Sequence, residues 1–190
     1  MDVKQLQMIV LASLMAALIA VGAYIQIPLP LGPVPLVLQN LFVLLAGLLL
    51  GSRWGLASVG IYLLVGAIGL PVFAGGKGGL THFLGPTGGY LVGFGACAFF
   101  TGRLAGGVHN HTVKDVSAVV LGSLAIYLCG VPWLKLVTSM SWEKAVLLGM
   151  VPFLPGDALK AAAAVLLTRA TRPLLRHLLA PASTRADLIR

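Results

Sequence analysis

Apolar residues in this chain run in long, nearly uninterrupted blocks, without the short-period alternation of a water-facing strand or helix. A helix needs about 20 apolar residues to cross a bilayer. The first block, residues 5–27, contains nothing more disruptive than Gly22, and the only basic residue before it is Lys4. It is too long for the apolar core of a secretory signal, which predicts a retained helix. Pro28, Pro30, Pro33 and Pro35 then predict a rigid turn, because each fixes φ and removes a backbone donor. Blocks at 36–51 and 54–70 are separated only by Ser52 and Arg53, too short a join for a loop, so two adjacent antiparallel helices are predicted. A glycine-rich stretch from Pro71 to Pro86, containing Lys77 and His82, leads to a fourth block at 87–105. A polar loop with His109, Asn110, His111, Lys114 and Asp115 precedes a fifth block at 116–134. The sixth, 145–167, is interrupted near Pro152 and Pro155. The pattern predicts an all-α integral membrane protein with six transmembrane helices.

Composition agrees. With 58% hydrophobic and 9% charged residues the chain cannot coat a water-facing surface, which takes roughly 25% charge. The bilayer is therefore its first partner. The net charge of +8 raises the question of nucleic acid, but Arg169, Arg172, Arg176, Arg185 and Arg190 cluster at the C-terminal end with no interleaved aromatics. Such a cluster sets topology or meets anionic lipid, so no nucleic-acid partner is expected. With both termini on one side, that side holds nine Lys and Arg residues against Lys77, Lys135 and Lys144 on the other, which predicts cytoplasmic termini. The expected organisation is one six-helix domain over residues 1–170 and a basic cytoplasmic tail over 171–190. Cys97 and Cys129, both in apolar blocks, read as small hydrophobes.

Small residues recur at four-residue spacing: Ala12, Ala16 and Ala20 in the first block, Gly85, Gly89 and Gly93 around the start of the fourth. Such faces let helices approach closely in lipid. The glycine face is expected to pack within the chain; the alanine face could equally be an outward docking surface.

The costliest feature is Asp157 with Lys160, because a charge at mid-membrane costs about 2.5–3.5 kcal/mol. At i, i+3 they share a helix face and can offset each other. They form either a self-neutralised structural pair or a polar patch facing an internal cavity. Pro155–Gly156 favours the cavity, since a broken membrane helix frees backbone groups that must line a cavity or be buried. Gln39 and Asn40, early in the second block, supply amides for an interhelical bond or a ligand contact.

Other motifs carry less. Gly75, Gly76, Lys77, Gly78 and Gly79 evoke a phosphate loop, but Pro71 stands where its first glycine is needed and Gly78 where the magnesium-binding hydroxyl is needed. A lid over a site is the expected use of that stretch. His109-Asn110-His111 has no acidic cluster beside it and reads as a solvated loop. No nucleophile elbow is present, and no resident cofactor or enzymatic activity is expected.

Four segments together resemble a known family: Gly32-Pro-Val-Pro-Leu-Val-Leu-Gln-Asn40, Tyr62-Leu-Leu-Val-Gly-Ala-Ile-Gly-Leu-Pro-Val-Phe-Ala-Gly-Gly76, Gly85-Pro-Thr-Gly-Gly-Tyr-Leu-Val-Gly-Phe94 and Pro155-Gly-Asp-Ala-Leu-Lys160. In order and spacing they resemble BioY, the biotin-specific substrate-binding S component of energy-coupling-factor (ECF) transporters. The resemblance implies an ECF S-component-like bundle in a prokaryotic cell membrane. It implies biotin bound near the extracytoplasmic face, and partnership with a transmembrane coupling subunit joined to two ATPase subunits. It matches Asp157 and Lys160 to the family's polar pair, and Gly75–Gly79 with Gly85–Gly89, including Thr87 and Gly88, to the loop that closes over the vitamin. Tyr90, Asn40 and Gln39 match polar positions near the pocket, and Ala12 and Ala16 match the alanine motif that docks on the coupling subunit. A carboxylate such as Asp157 suits the two N–H donors of a ureido ring. Lys160 would meet the ureido carbonyl or the valerate carboxylate. The rival expectation is an ion-coupled secondary transporter of a small carboxylated solute, with Asp157 as its proton or sodium site.

Overall fold

A computed structural model of the chain describes residues 2–29, 32–105 and 112–179, with the side chains of 176–178 outside that description. Helix α1 (Val3–Tyr24) ends ahead of the proline-rich turn. That turn carries a feature the sequence did not predict, a two-residue antiparallel hairpin of β1 (Gln26–Ile27) and β2 (Leu36–Val37) that pairs Gln26 with Val37. Helix α2 (Gln39–Ala67) follows, then a short helix α3 (Thr81–Leu84), α4 (Gly88–Leu104) and α5 (Thr112–Thr138). Helix α6 (Trp142–Gly149), a 3-10 turn at Val151–Phe153 and α7 (Leu154–Leu179) complete the chain.

Helix α2 is two helices. Gly51, at φ 77° and ψ 179°, reverses the chain in a single residue, a conformation that glycine adopts without the Cβ penalty. The Gln39 amide Nε2 donates to the Tyr62 hydroxyl at 2.5 Å across 23 positions, which a straight helix would hold more than 30 Å apart. The arms 39–50 and 52–67 are thus antiparallel, as predicted. Four helical stretches are long and apolar enough to cross a membrane: α1, α2, α5 and the α6–α7 segment. With α2 doubled back and α4 returning the chain between α2 and α5, the bundle makes six passes.

The sixth pass departs from the expected bounds. Its interruption is the 3-10 turn holding Pro152, while Pro155 sits in the first turn of α7, where its missing N–H costs nothing. Helix α7 then runs through residue 170, the expected domain boundary, without a break. Three arginines of the C-terminal cluster, Arg169, Arg172 and Arg176, belong to it. Arg172 is buried and makes a bidentate pair with Asp115 of α5, Nη1 to Oδ2 at 2.6 Å and Nη2 to Oδ1 at 2.7 Å, and Arg169 donates to the Thr112 hydroxyl. Asp115, read as a loop residue, is fully buried. His109, Asn110 and His111, and the chain from residue 180 with Arg185 and Arg190, lie outside the described residues.

Packing follows the small residues. A Cβ on Gly89 would stand 2.2 Å from Trp133 Cβ, and one on Gly93 would stand 2.9 Å from Ile126 Cα. The glycine face therefore seats α4 on α5, as expected. Ala12 and Ala16 are buried at 1% and 5% exposure, with Ala20 half-buried. They pack into this chain's own core, which corrects their expected role as an outward docking face; Ser13 and Ala17 are the exposed small residues of α1. Large apolar side chains such as Leu64, Leu128 and Leu159 face outward, as a lipid-embedded bundle requires.

Candidate ligand-binding site

The cavity lies at the end of the bundle that carries the β-hairpin, the 68–87 connection and the start of α7. It has about 550 Å³ of unfilled space including its mouth, and its wall brings together Gln39 and Asn40 from the first turn of α2, Tyr90 of α4, Tyr127 of α5 and Asp157 of α7. Val34, Pro35, Phe94 and Phe153 make the rest of it apolar.

Asp157 occupies the first turn of α7, where the helix dipole and unpaired N–H groups favour an anion. Its Oδ1 accepts from Lys160 Nζ at 2.8 Å and from Asn40 Nδ2 at 2.9 Å, and its Oδ2 accepts from the Tyr127 hydroxyl. The ion pair expected from i, i+3 spacing is present. Lys160 itself does not line the cavity; at 8% exposure it neutralises Asp157. In this structure it stands as the counter-ion of Asp157.

Asn40 is the consequence. Because the carboxylate takes its NH₂ group, its oxygen is turned the other way, and Asn40 Oδ1 is buried without a hydrogen-bond partner among the described residues. A buried acceptor left unmet costs about 1–3 kcal/mol. Asn40 is a residue of the cavity wall, so a modest turn of its side chain would present this unmet acceptor to a molecule bringing an N–H or O–H group.

The glycine-rich stretch folds beside the cavity, to whose wall it contributes Ala74. Phe73 N donates to Lys77 O at 2.8 Å, closing a tight turn in which Gly75 and Gly76 have φ of 76° and 68°. Phe73 is fully buried beneath it, edge-on to Tyr62 and Phe83 and stacked on His82 at 5.1 Å. Tyr24 donates to Pro71 O and ties α1 to the same stretch. His82 contacts Thr87 Oγ1 at 3.1 Å, and burial, with the Lys77 charge second, lowers its pKa and leaves the ring neutral at neutral pH.

Of the expected residues, Gln39, Asn40, Thr87, Tyr90 and Asp157 line this cavity, and Gly75 and Gly78 line a second space outside it. Gly76, Gly79 and Gly88 line neither. Gly88 packs against the Phe83 carbonyl, 1.8 Å from where its Cβ would stand. Tyr90 turns its hydroxyl to Gly149 O at 2.7 Å and shows the cavity its ring. Tyr127 and His82 were missed. A tyrosine in an apolar block carries no signal of its own, whereas His82 was visible as the one imidazole in the glycine-rich stretch.

The sequence profile of the BioY family matches residues 1–177. This chain belongs to the BioY family. The match takes in every BioY-like segment and every cavity residue named above. Similar proteins include a "Probable biotin transporter BioY" of Pyrococcus horikoshii, 46% identical over 157 residues, covering 83% of this chain and 91% of that one. A "Biotin transporter BioY" of Rhizobium etli is 43% identical over 171 residues, covering 85% and 91%. Among solved structures, the S-component for biotin from an ECF-type ABC transporter superposes with a TM-score of 0.83 at 30% identity, covering 91% of this chain and 95% of that one. The six-pass bundle is thus an S-component fold, and the BioY assignment carries with it a multi-pass membrane protein of bacterial or archaeal type.

Proposed function

We propose that this chain captures biotin at the membrane for an ECF-type uptake system and performs transport rather than catalysis. The observation that carries the reading is the pairing of Asp157 with Asn40 in the cavity wall, which leaves Asn40 Oδ1 buried and without a partner among the described residues. A cyclic urea brings two N–H donors. One meets Asn40 Oδ1 and the other the remaining lone-pair capacity of the Asp157 carboxylate, which also accepts from the Asn40 amide. The thiophane ring and the aliphatic tail suit the Tyr90, Phe94 and Phe153 surfaces.

The nine-to-three division of Lys and Arg puts both termini in the cytoplasm and the cavity at the outer face. Residues 1–170 and the remainder of α7 act as one unit, with the residues beyond the helix as the basic tail. Energy comes from a coupling subunit and two ATPases. With Ala12 and Ala16 buried, the contact on α1 falls to its exposed face, which includes Ser13 and Ala17.

Equilibrium titration of the purified protein tests the reading. Biotin should bind saturably and tightly, and Asn40→Ala should weaken it about tenfold or more, the equivalent of about 1.4 kcal/mol, without loss of the folded protein. Unchanged affinity in Asn40→Ala would remove the assigned role, and no binding by the wild type would remove biotin.

A further inference from the structure

Outside the cavity lies a second, more open space of about 1170 Å³ including its mouth, about twice the inner one on the same measure. The two share Pro35, Ala74, His82 and Thr87 as walls, so they are contiguous. Their chemistry differs. The inner space is walled mainly by apolar side chains, whereas the outer one is lined by Gln26, Lys77, Thr81, His82 and Thr87, with Lys77 its only charged side chain among the described residues.

Two of these groups converge on one point. The position a Cβ on Gly75 would take is 3.5 Å from Gln26 Nε2 and 3.9 Å from Lys77 Cε. Both are held there by backbone pairing: Gln26 sits opposite Val37 in the β-hairpin, and Lys77 opposite the buried Phe73 in the tight turn. An amide donor and the last methylene of the lysine stem, one bond from its ammonium, thus flank a gap kept open by a glycine. Among the described residues, no acidic side chain lines this space to neutralise the lysine.

We propose that this vestibule is the carboxylate subsite of the transported molecule. Lys77 receives the carboxylate at the end of the substrate's chain, Gln26 donates beside it, and the chain thereby selects free acids over neutral amides and esters. The inference rests on the biotin reading of the inner cavity. With the ring held at Asn40, the flexible tail leads outward, and its terminal charge meets Lys77, the one cation lining that space among the described residues. An ammonium with three rotatable donors suits a carboxylate on a chain of variable curvature.

The test is a binding titration with biotin and with biotinamide, in which the tail carboxylate is replaced by a neutral amide, on the wild type, Lys77→Gln and Lys77→Arg. The wild type should prefer biotin at least tenfold. Lys77→Gln should lose that preference by weakening biotin alone, and Lys77→Arg should keep it. Equal weakening of both ligands by Lys77→Gln would mark the lysine as part of the turn's structure and overturn the subsite, as would unchanged biotin affinity. If biotinamide and biotin bind the wild type alike, no charge is read at this end. A wild type that binds neither overturns the biotin reading and the subsite with it.

Discussion

The ion pair between Asp115 and Arg172 gives the most quantitative prediction. Both side chains are buried, at 0% and 4% exposure, and the pair is bidentate. It joins the beginning of α5 to the late part of α7, at the end of the bundle opposite the cavity. Removing one member of such a pair leaves a charge in a low-dielectric surrounding without its counterpart, which costs about 3–5 kcal/mol. Removing both in favour of apolar side chains of similar volume is near neutral or stabilising. Arg172→Met and Asp115→Leu should therefore each lower unfolding stability by about 3–5 kcal/mol, and the double variant should cost less than either. The assay is unfolding in mixed micelles at rising SDS fraction, followed by tryptophan fluorescence. Single variants each costing below about 1 kcal/mol would mean the pair is hydrated and behaves like a surface bridge. A double variant equal to the sum of the singles would mean that the groups are not coupled.

Two further predictions concern the glycine-rich stretch as a cap on the cavity. Phe73→Ala removes a fully buried ring from between Tyr62, His82 and Phe83, at a cost of about 3–5 kcal/mol; biotin dissociation measured by stopped flow should accelerate strongly, and an unchanged rate would show that the cap does not retain ligand. Because burial and Lys77 lower the His82 pKa, the opened loop binds a proton more readily than the closed one. Closure is therefore unimpaired above the ordinary histidine range and weakens as pH falls below about 6.5, so amide exchange in Thr81–Leu84, corrected for its intrinsic pH dependence, should lose protection on acidification, and His82→Gln should abolish the effect.

The sequence revealed what has a long period or a high local cost. Six passes followed from apolar block lengths, and the reversal near Ser52 followed from the absence of any loop, although the residue that makes it is Gly51. Asp157, Lys160, Gln39 and Asn40 stood out because polar groups in apolar helices need partners, and three of the four line the cavity. What was hidden depends on distant contacts. The β-hairpin has only two residues per strand, too few to alternate. Asp115 and Arg172 lie 57 positions apart, so each looked like a solvated charge. The alanine face of α1 was legible as a close-packing face, but sequence could not say whether its own chain or a partner would fill it. Lys160 was correctly paired, yet only the geometry shows that pairing keeps it off the cavity wall.

The single-residue reversal at Gly51 also constrains how the chain enters the membrane during synthesis. At 1.5 Å per residue its two arms, 39–50 and 52–67, are roughly 18 and 24 Å long, each shorter than the ~30 Å hydrocarbon layer. Each is therefore a short pass that crosses more readily beside the other than alone. The tip has no slack either, since a Cβ on Gly102 would meet Ser52 N at 2.3 Å, so the reversal is docked against the end of α4. The two arms are therefore expected to leave the translocon together as a pair. A nascent chain stalled between them would present an incomplete segment, and a reporter spliced in at Gly51 would stop insertion before folding had begun.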